Sequence, residues 1–259
     1  MKKESARLDT AMVARGLAAS RERARALILA GRVRVGGVVV SKAGAPVTPD
    51  ADITLIERDH PYVSRGGVKL AHALDVFAID VTGRIALDVG ASTGGFTDVL
   101  LRRGAARVVA LDVGHGQLDW SIRSDPRVIV LEHVNARTLT AAELPEDARH
   151  FAMATMDVSF ISVRQVLPAI GALLDPGADL VVLVKPQFEA GREEVGKGGL
   201  VRDAAVHARV VAEVTAAADA LGLSRVAMTE SPITGTEGNR EFFLHLRRDE
   251  RTETLNAER

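Results

Sequence analysis

Beyond residue 84 the chain alternates β-type runs with helical stretches. The strand candidates are Ile85–Val89, Arg107–Leu111, Val128–Leu131, Phe151–Met156, 179–184, 225–229 and 241–246. Helical segments separate the first five, which predicts parallel strands in a doubly wound sheet. Only the turn-rich stretch 231–239 joins the last two, so the final strand is expected to pair antiparallel. Just ahead of the first strand, Leu70, Leu74 and Phe77 recur at helical spacing and predict a helix that Lys69 opens. The amino-terminal part follows another pattern. Ser20 suits the start of a helix through Ala30 that Gly31 would end, with Ala24, Leu27 and Ile28 as its buried stripe. Two short β-rich runs, 32–35 and 38–40, then flank Gly36-Gly37, a tight-hairpin signal.

Composition adds limits. At 259 residues there is room for one large domain and a small one, and 47% hydrophobic content is ordinary for a globular protein. No run approaches the roughly 20 apolar residues of a membrane helix. Residues 1–25 are studded with charge and hold no apolar segment of the signal-peptide kind, so a cytoplasmic protein is expected. The chain has no cysteine, which excludes disulfides, thiolate metal sites and a Cys nucleophile; no structural metal is expected. The net charge of −1 hides an asymmetry: residues 1–50 carry +6 and the remainder −7. A basic small domain before an acidic large one suggests that the first grips a polyanion, although a solvated charged face would look the same.

Candidate chemistry begins at Asp88-Val89-Gly90-Ala91-Ser92-Thr93-Gly94-Gly95-Phe96, directly after the first strand. Glycines let backbone approach a ligand, and the following helix start offers free N–H groups. Such loops serve NAD, FAD and S-adenosylmethionine (SAM) alike, and a plain tight turn is the bland alternative. The spacing Asp-x-Gly-x-x-x-Gly favours SAM. Asp112, after the second strand, is placed to accept from ribose hydroxyls in either kind of enzyme. Four charges fall at mutually consistent sheet ends: Lys69 before the first strand, Asp157 after the fourth, Lys185 after the fifth and Glu241 at the start of the last. Single charges there are usually capping or solvated residues.

Two resemblances follow. Arg7-Leu8-Asp9, Gly16, Ser20-Arg21, Ala24, Leu27-Ile28, Gly31, Val33, Val35 and Lys42 are similar to the S-four-type RNA-binding domain over about residues 7–55. This implies RNA contacts from Arg7, Arg21, Arg25, Arg32, Arg34 and Lys42. Lys69, Asp157, Lys185 and Glu241 resemble the Lys-Asp-Lys-Glu set of FtsJ-like ribose 2′-O-methyltransferases. Together with the phrases 63–70, 88–96, 157–162 and 184–189, the chain resembles the TlyA family, which methylates cytidine 2′-hydroxyls in ribosomal RNA and has also been labelled a haemolysin. The implied architecture is a small α+β domain at 1–59, a linker at 60–64, a Rossmann-type methyltransferase domain at 65–248 and a charged tail at 249–259. The implied cofactor is SAM, held by Asp88, Gly90, Ala91, Ser92, Thr93, Gly94, Gly95, Phe96, Asp112, Asn135 and Asp157. The implied partners are ribosomal RNA, 16S and/or 23S, and ribosomal subunits, with Arg65 as a further RNA contact and Lys197 as another candidate guide. The linker reads His60-Pro61-Tyr62-Val63 where relatives carry Arg-x-Trp-Val, which leaves its share in SAM binding open.

For ribose methylation, hydroxyl, methyl and sulfur must align and a proton must leave. Lys185 is assigned as base or orienter, with Asp157 and Glu241 fixing the two ammonium groups. Phe160 and Phe188 either stack on the target base or belong to the core. Methylation at pyrimidine carbon 5 lacks its Cys. Exocyclic-amine methylation goes with Asn/Asp-Pro-Pro-aromatic, whereas this chain reads Asp157-Val158-Ser159-Phe160. A dehydrogenase is disfavoured by the glycine spacing, and a pore former by the lack of a spanning helix or long alternating strands. A non-catalytic RNA-binding assembly protein that only keeps the fold is the remaining alternative.

Overall fold

The computed structural model describes residues 5–18, 20–29, 31–56, 60–235 and 238–250. The chain folds as two compact units, Met1–Pro61 and Tyr62–Arg259. Tyr62, Val63 and Ser64, expected in a linker, belong to the second. Tyr62 lies under the guanidinium of Arg102 at 5.8 Å, and the Val63 N–H donates to the buried Asp98 at 2.9 Å.

The first unit runs β1 (Ala6–Arg7), α1 (Leu8–Ala14), α2 (Arg21–Leu29), β2 (Val33–Val35), β3 (Val38–Val39), β4 (Pro46–Val47) and β5 (Ile53–Leu55). The Ser20 hydroxyl accepts from the Arg23 N–H at 3.2 Å, so the expected helix start is capped; Ala30 lies outside the described residues. Gly36 and Gly37 both take positive φ, 57° and 80°, closing the hairpin of β2 and β3. Leu8, Met12, Ile28 and Val33 are fully buried and form the centre of this unit's core.

The second unit continues with α3 (Arg65–Phe77), β6 (Ile85–Val89), α4 (Gly95–Arg102), β7 (Arg107–Leu111), α5 (Trp120–Arg123), β8 (Val128–Leu131) and β9 (Phe151–Met156). Then come α6 (Leu167–Ala172), β10 (Leu174–Val184), α7 (Pro186–Glu189), α8 (Ala204–Asp219), β11 (Leu223–Glu230) and β12 (Phe242–Arg248). Seven strands form one sheet in the order β11-β12-β10-β9-β6-β7-β8. The first five are parallel as expected, and β12 is antiparallel to both neighbours. Alternate residues of β10 serve opposite cores: Leu180, Val182 and Val184 on one face, Val181 and Leu183 on the other.

Three details differ from the sequence pattern. β10 starts at Leu174, and its pairing with β9 shifts between Leu174 and Asp179, where regular pairing resumes. β12 does not merely fold back on β11 but inserts between β11 and β10. Glu241 precedes β12 by one residue instead of beginning it. Register makes the insertion matter: Val184 pairs with Phe242, so Lys185 and Glu241 emerge together at the edge where the parallel strands end. At the opposite edge the buried Asp179 accepts from His245, Arg84 and Arg247, tying β10, β12 and the entry to β6. Tail residues 251–259 lie outside the described residues.

Candidate functional site

At the carboxyl edge of the sheet lies a cavity of about 400 Å³ in the second unit. Its wall is built by the start of α3, the loop between β6 and α4, the segments following β9 and β10, and the residue preceding β12. Ser64 precedes α3, whose Leu70, Ala73 and Leu74 are buried, while Lys69 turns to the cavity. Lys69 Nζ donates to Glu241 Oε2 at 2.6 Å. Lys185 Nζ lies 2.7 Å from Asp157 Oδ1 and donates to Ser159 Oγ at 2.7 Å. Glu241 is 2% exposed and Lys185 9%, so the charges are largely desolvated and each needs its opposite. The four residues expected from sequence thus line one cavity as two ion pairs.

The glycine loop shows why its residue types are required. The N–H groups of Gly90 and Ala91 both donate to the Leu111 carbonyl, at 2.8 and 3.0 Å, so the chain doubles back at the strand end. Gly90 takes φ +83°, and a Cβ there would stand 2.5 Å from the Asp157 carbonyl oxygen. The close approach brings the loop against the segment that carries Asp157. Gly90, Ala91, Ser92, Thr93, Gly95 and Phe96 line the cavity. Asp112 receives the N–H groups of Ser92 and Gly114, each at 2.7 Å. A carboxylate has about four lone-pair sites, so Asp112 keeps acceptor capacity for vicinal hydroxyls. A narrow backbone cradle beside an oriented carboxylate fits a nucleoside ligand such as SAM.

Four expected cofactor contacts, Asp88, Gly94, Asp112 and Asn135, do not line the cavity. Asp88 is fully buried, accepting from the hydroxyls of Thr97 at 2.6 Å and Thr155 at 2.9 Å, and does not reach the cavity. Burial pushes its carboxyl up to about 6, against the opposing pull of the two hydroxyls. Gly94 takes φ +90°, and a Cβ there would meet Leu118 and Ile122 at 3.0 to 3.2 Å, so both backbone and packing call for glycine. Asp112 and Asn135 also lie outside the cavity wall, and the exposed Asn135 side chain accepts from the Arg137 N–H at 3.1 Å.

Ser64, Gly66, Ser159 and Gln187 line the cavity although their residue types and spacing did not mark them. Ser159 was within reach, because it lies only two residues beyond Asp157 at the same sheet end. Phe160 is 92% exposed at φ +64°, with its ring 5.2 Å from that of Phe188, so the core reading fails for Phe160. Arg65 is exposed on the cavity wall. Glu189, pushed up by burial, accepts from the Ser162 hydroxyl and the Val163 N–H and so ties α7 to the turn after β9.

In the first unit Arg7 and Arg21 both contact the buried Asp9, at 2.8 and 3.5 Å, and the Asp9 N–H donates to the carbonyl of Ala43 beside Lys42. Hydrogen bonds from Arg7 hold the Asp9 carboxyl well below the usual carboxylate range. Arg7 and Arg21 are thereby gathered on Asp9, and Arg25, Arg34 and Lys42 are exposed. Arg32 donates to the Ile56 carbonyl at 2.7 Å, which gives it a structural task as well. Among the described residues no group of acidic and histidine side chains is arranged to hold a metal, and no helix is long and apolar enough to cross a membrane.

Comparison with known proteins adds the following. Residues 62–248 match the FtsJ-like methyltransferase family and residues 6–53 the S4 domain. The chain is 49% identical over 243 residues to the "16S/23S rRNA (cytidine-2'-O)-methyltransferase TlyA" of Mycobacterium tuberculosis, covering 93% of this chain and 90% of that one. It is 40% identical over 239 residues to "Hemolysin A" of Brachyspira hyodysenteriae, covering 92% and 98%. A solved structure, "Putative hemolysin from Streptococcus thermophilus", superimposes with a TM-score of 0.73 at 42% identity, covering 95% and 90%.

Proposed function

The chain belongs to the TlyA family of FtsJ-like methyltransferases, and on that premise we propose that it transfers a methyl group from SAM to the ribose 2′-hydroxyl of cytidine in ribosomal RNA. The observation that carries this reading is the double ion pair, Lys69 with Glu241 and Lys185 with Asp157, set in one wall beside the glycine loop. SAM supplies an activated methyl group, so the protein has no leaving group to create. What remains is to hold the acceptor hydroxyl in line and to accommodate its proton.

Lys185, 9% exposed and set at a strand end, is the group that meets the hydroxyl. Its amino group can orient the oxygen or take its proton, and Asp157 balances its charge at 2.7 Å. Lys69 lines the same wall, and Glu241 limits its repulsion of Lys185. Gly90, Ser92 and Thr93 offer backbone to SAM; Asp112, outside the cavity wall but held to the loop by the Ser92 N–H, accepts from its ribose hydroxyls; and Asp88 holds the loop from behind through Thr97. The exposed ring of Phe160 offers a stacking face to an unstacked base. The S4 domain, with Arg7, Arg21, Arg25, Arg34 and Lys42, captures RNA through phosphates; the partners are ribosomal RNA, 16S and/or 23S, within ribosomal subunits of the cytoplasm.

The test is to map 2′-O-methyl groups in ribosomal RNA with and without the protein. The expected product is one or more alkali-resistant 2′-O-methylcytidines that appear only with protein and SAM. Label on a base, or none at all, would refute the reading.

A further inference from the structure

Lys185 makes two contacts of different kind. Asp157 Oδ1 is 2.7 Å from Nζ, yet this buried oxygen receives no well-directed hydrogen bond. Ser159 Oγ, equally close, accepts one. Hydrogen bonds weaken steeply when the donor points off line. The carboxylate therefore supplies charge and the hydroxyl supplies direction.

Resting on the ribose-methylation reading above, we propose that Ser159 is a positioning residue for methyl transfer: its hydroxyl sets the rotation of the Lys185 amino group so that a free position on nitrogen faces the 2′-hydroxyl. Nζ is tetrahedral, with one bond to Cε and three positions left. Ser159 occupies one of these, and both residues border the same cavity. Without the hydroxyl, nothing fixes that rotation, because the Asp157 oxygen 2.7 Å away attracts the charge without receiving a directed hydrogen bond. The lysine then stays in place as a charge but loses its aim.

The surroundings hold this arrangement. Phe160, next along the chain, keeps a left-handed backbone at φ +64°, which a bulky residue adopts only when its neighbours impose it. Phe188 lies 5.9 Å from Lys185 Nζ. Glu189 ties the turn bearing Ser159 to the short helix α7 that follows Lys185. The hydroxyl and the amine thus sit on two segments braced by one carboxylate. Ser159 itself is exposed, so a methyl group added or an oxygen removed there disturbs no core.

The experiment compares wild type, Ser159→Ala and Ser159→Thr, as full chains, in single-turnover transfer of labelled methyl from SAM to ribosomal RNA. SAM affinity is measured by calorimetry, and the rate is followed against RNA concentration. The expected result is a maximal rate lowered roughly 10- to 100-fold in Ser159→Ala, the scale of a misplaced reacting group. SAM affinity and half-saturating RNA should stay within about twofold, and Ser159→Thr, which restores the hydroxyl, should recover most of the rate. A fully active Ser159→Ala overturns the proposal. So does a defect confined to RNA half-saturation, or one that threonine leaves unrelieved. If wild type places label on a base, the ribose reading fails first and the role of Ser159 falls with it; an active wild type beside an unaffected alanine variant removes the Ser159 role alone.

Discussion

Replacing Gly90 by alanine tests the glycine loop with a single methyl group. Gly90 sits at φ +83°, where an L-residue costs about 1–2 kcal/mol. Its new Cβ would stand 2.5 Å from the Asp157 carbonyl oxygen and 3.0 Å from the carbonyl carbon. Both belong to backbone, so relief requires the loop and the end of β9 to part by roughly half an ångström or more. The segment that moves carries Asp157, the charge partner of Lys185. A displacement approaching an ångström at reacting groups costs on the order of 10²-fold in rate. Gly83→Ala is the control, since Gly83 has φ +72° but nothing within 4 Å of a built Cβ. It carries the backbone cost without the collision. Both variants should melt lower, by roughly 2–8 °C for a domain of this size. Only Gly90→Ala should lose SAM affinity by tenfold or more in calorimetry and transfer rate by about 10² in single turnover. Equal SAM affinity in the two variants would refute the claim that the close approach at Gly90 shapes the cofactor cradle.

Other expectations follow from the same geometry. Lys185→Ala should fold and bind SAM and RNA, yet lose a factor on the order of 10² or more in single-turnover methyl transfer; Lys185→Arg should not rescue it if the amine takes the proton, because guanidinium stays charged. Asp88 is raised by burial from its ordinary value of 3.8 to about 6, so its neutral form is the one the fold favours. Its stabilising share is present below about pH 4 and is lost as pH climbs through 6, a swing of roughly 2–3 kcal/mol. Asp88→Asn should therefore gain melting temperature on wild type between pH 5 and 8, and a constant difference across that range would count against the raised Asp88 carboxyl. The double variant Arg34→Ala/Lys42→Ala should weaken RNA capture and flatten its log–log salt dependence by roughly 0.7–0.9 for each phosphate interaction removed, leaving SAM affinity unchanged; an unaltered slope would remove these two side chains from the RNA-facing set.

Much of the fold was legible in the chain because its signals are local. Ile85–Val89, Arg107–Leu111, Val128–Leu131 and Phe151–Met156 are strands at the expected residues; the inner three are short apolar runs largely buried on both faces of the parallel sheet, and Val128–Leu131, half-buried, forms its edge. The placing of Lys69, Asp157, Lys185 and Glu241 at one end of the sheet was legible too, through their positions at strand and helix ends; which acid meets which lysine was not. Less legible were the roles within the glycine loop. Asp88, Gly90 and Gly94 look alike as members of one motif. One braces the loop from within the core, one lets two backbones touch and one packs against Leu118 and Ile122.

The amino-acid sequence by itself determined the two-part organisation, the parallel order of the first five strands, the SAM-type loop and the charged quartet, because each depends on spacing along the chain. Tertiary structure alone decided that β12 slips between β10 and β11 and so brings Glu241 beside Lys185. It also decided that Ser159, not the carboxylate, receives the directed hydrogen bond of Lys185. Strand insertion is settled by pairing between segments far apart in the chain, 179–184 with 242–247. A hydrogen bond is settled by angles between groups 26 residues apart in the chain, and no local pattern encodes either.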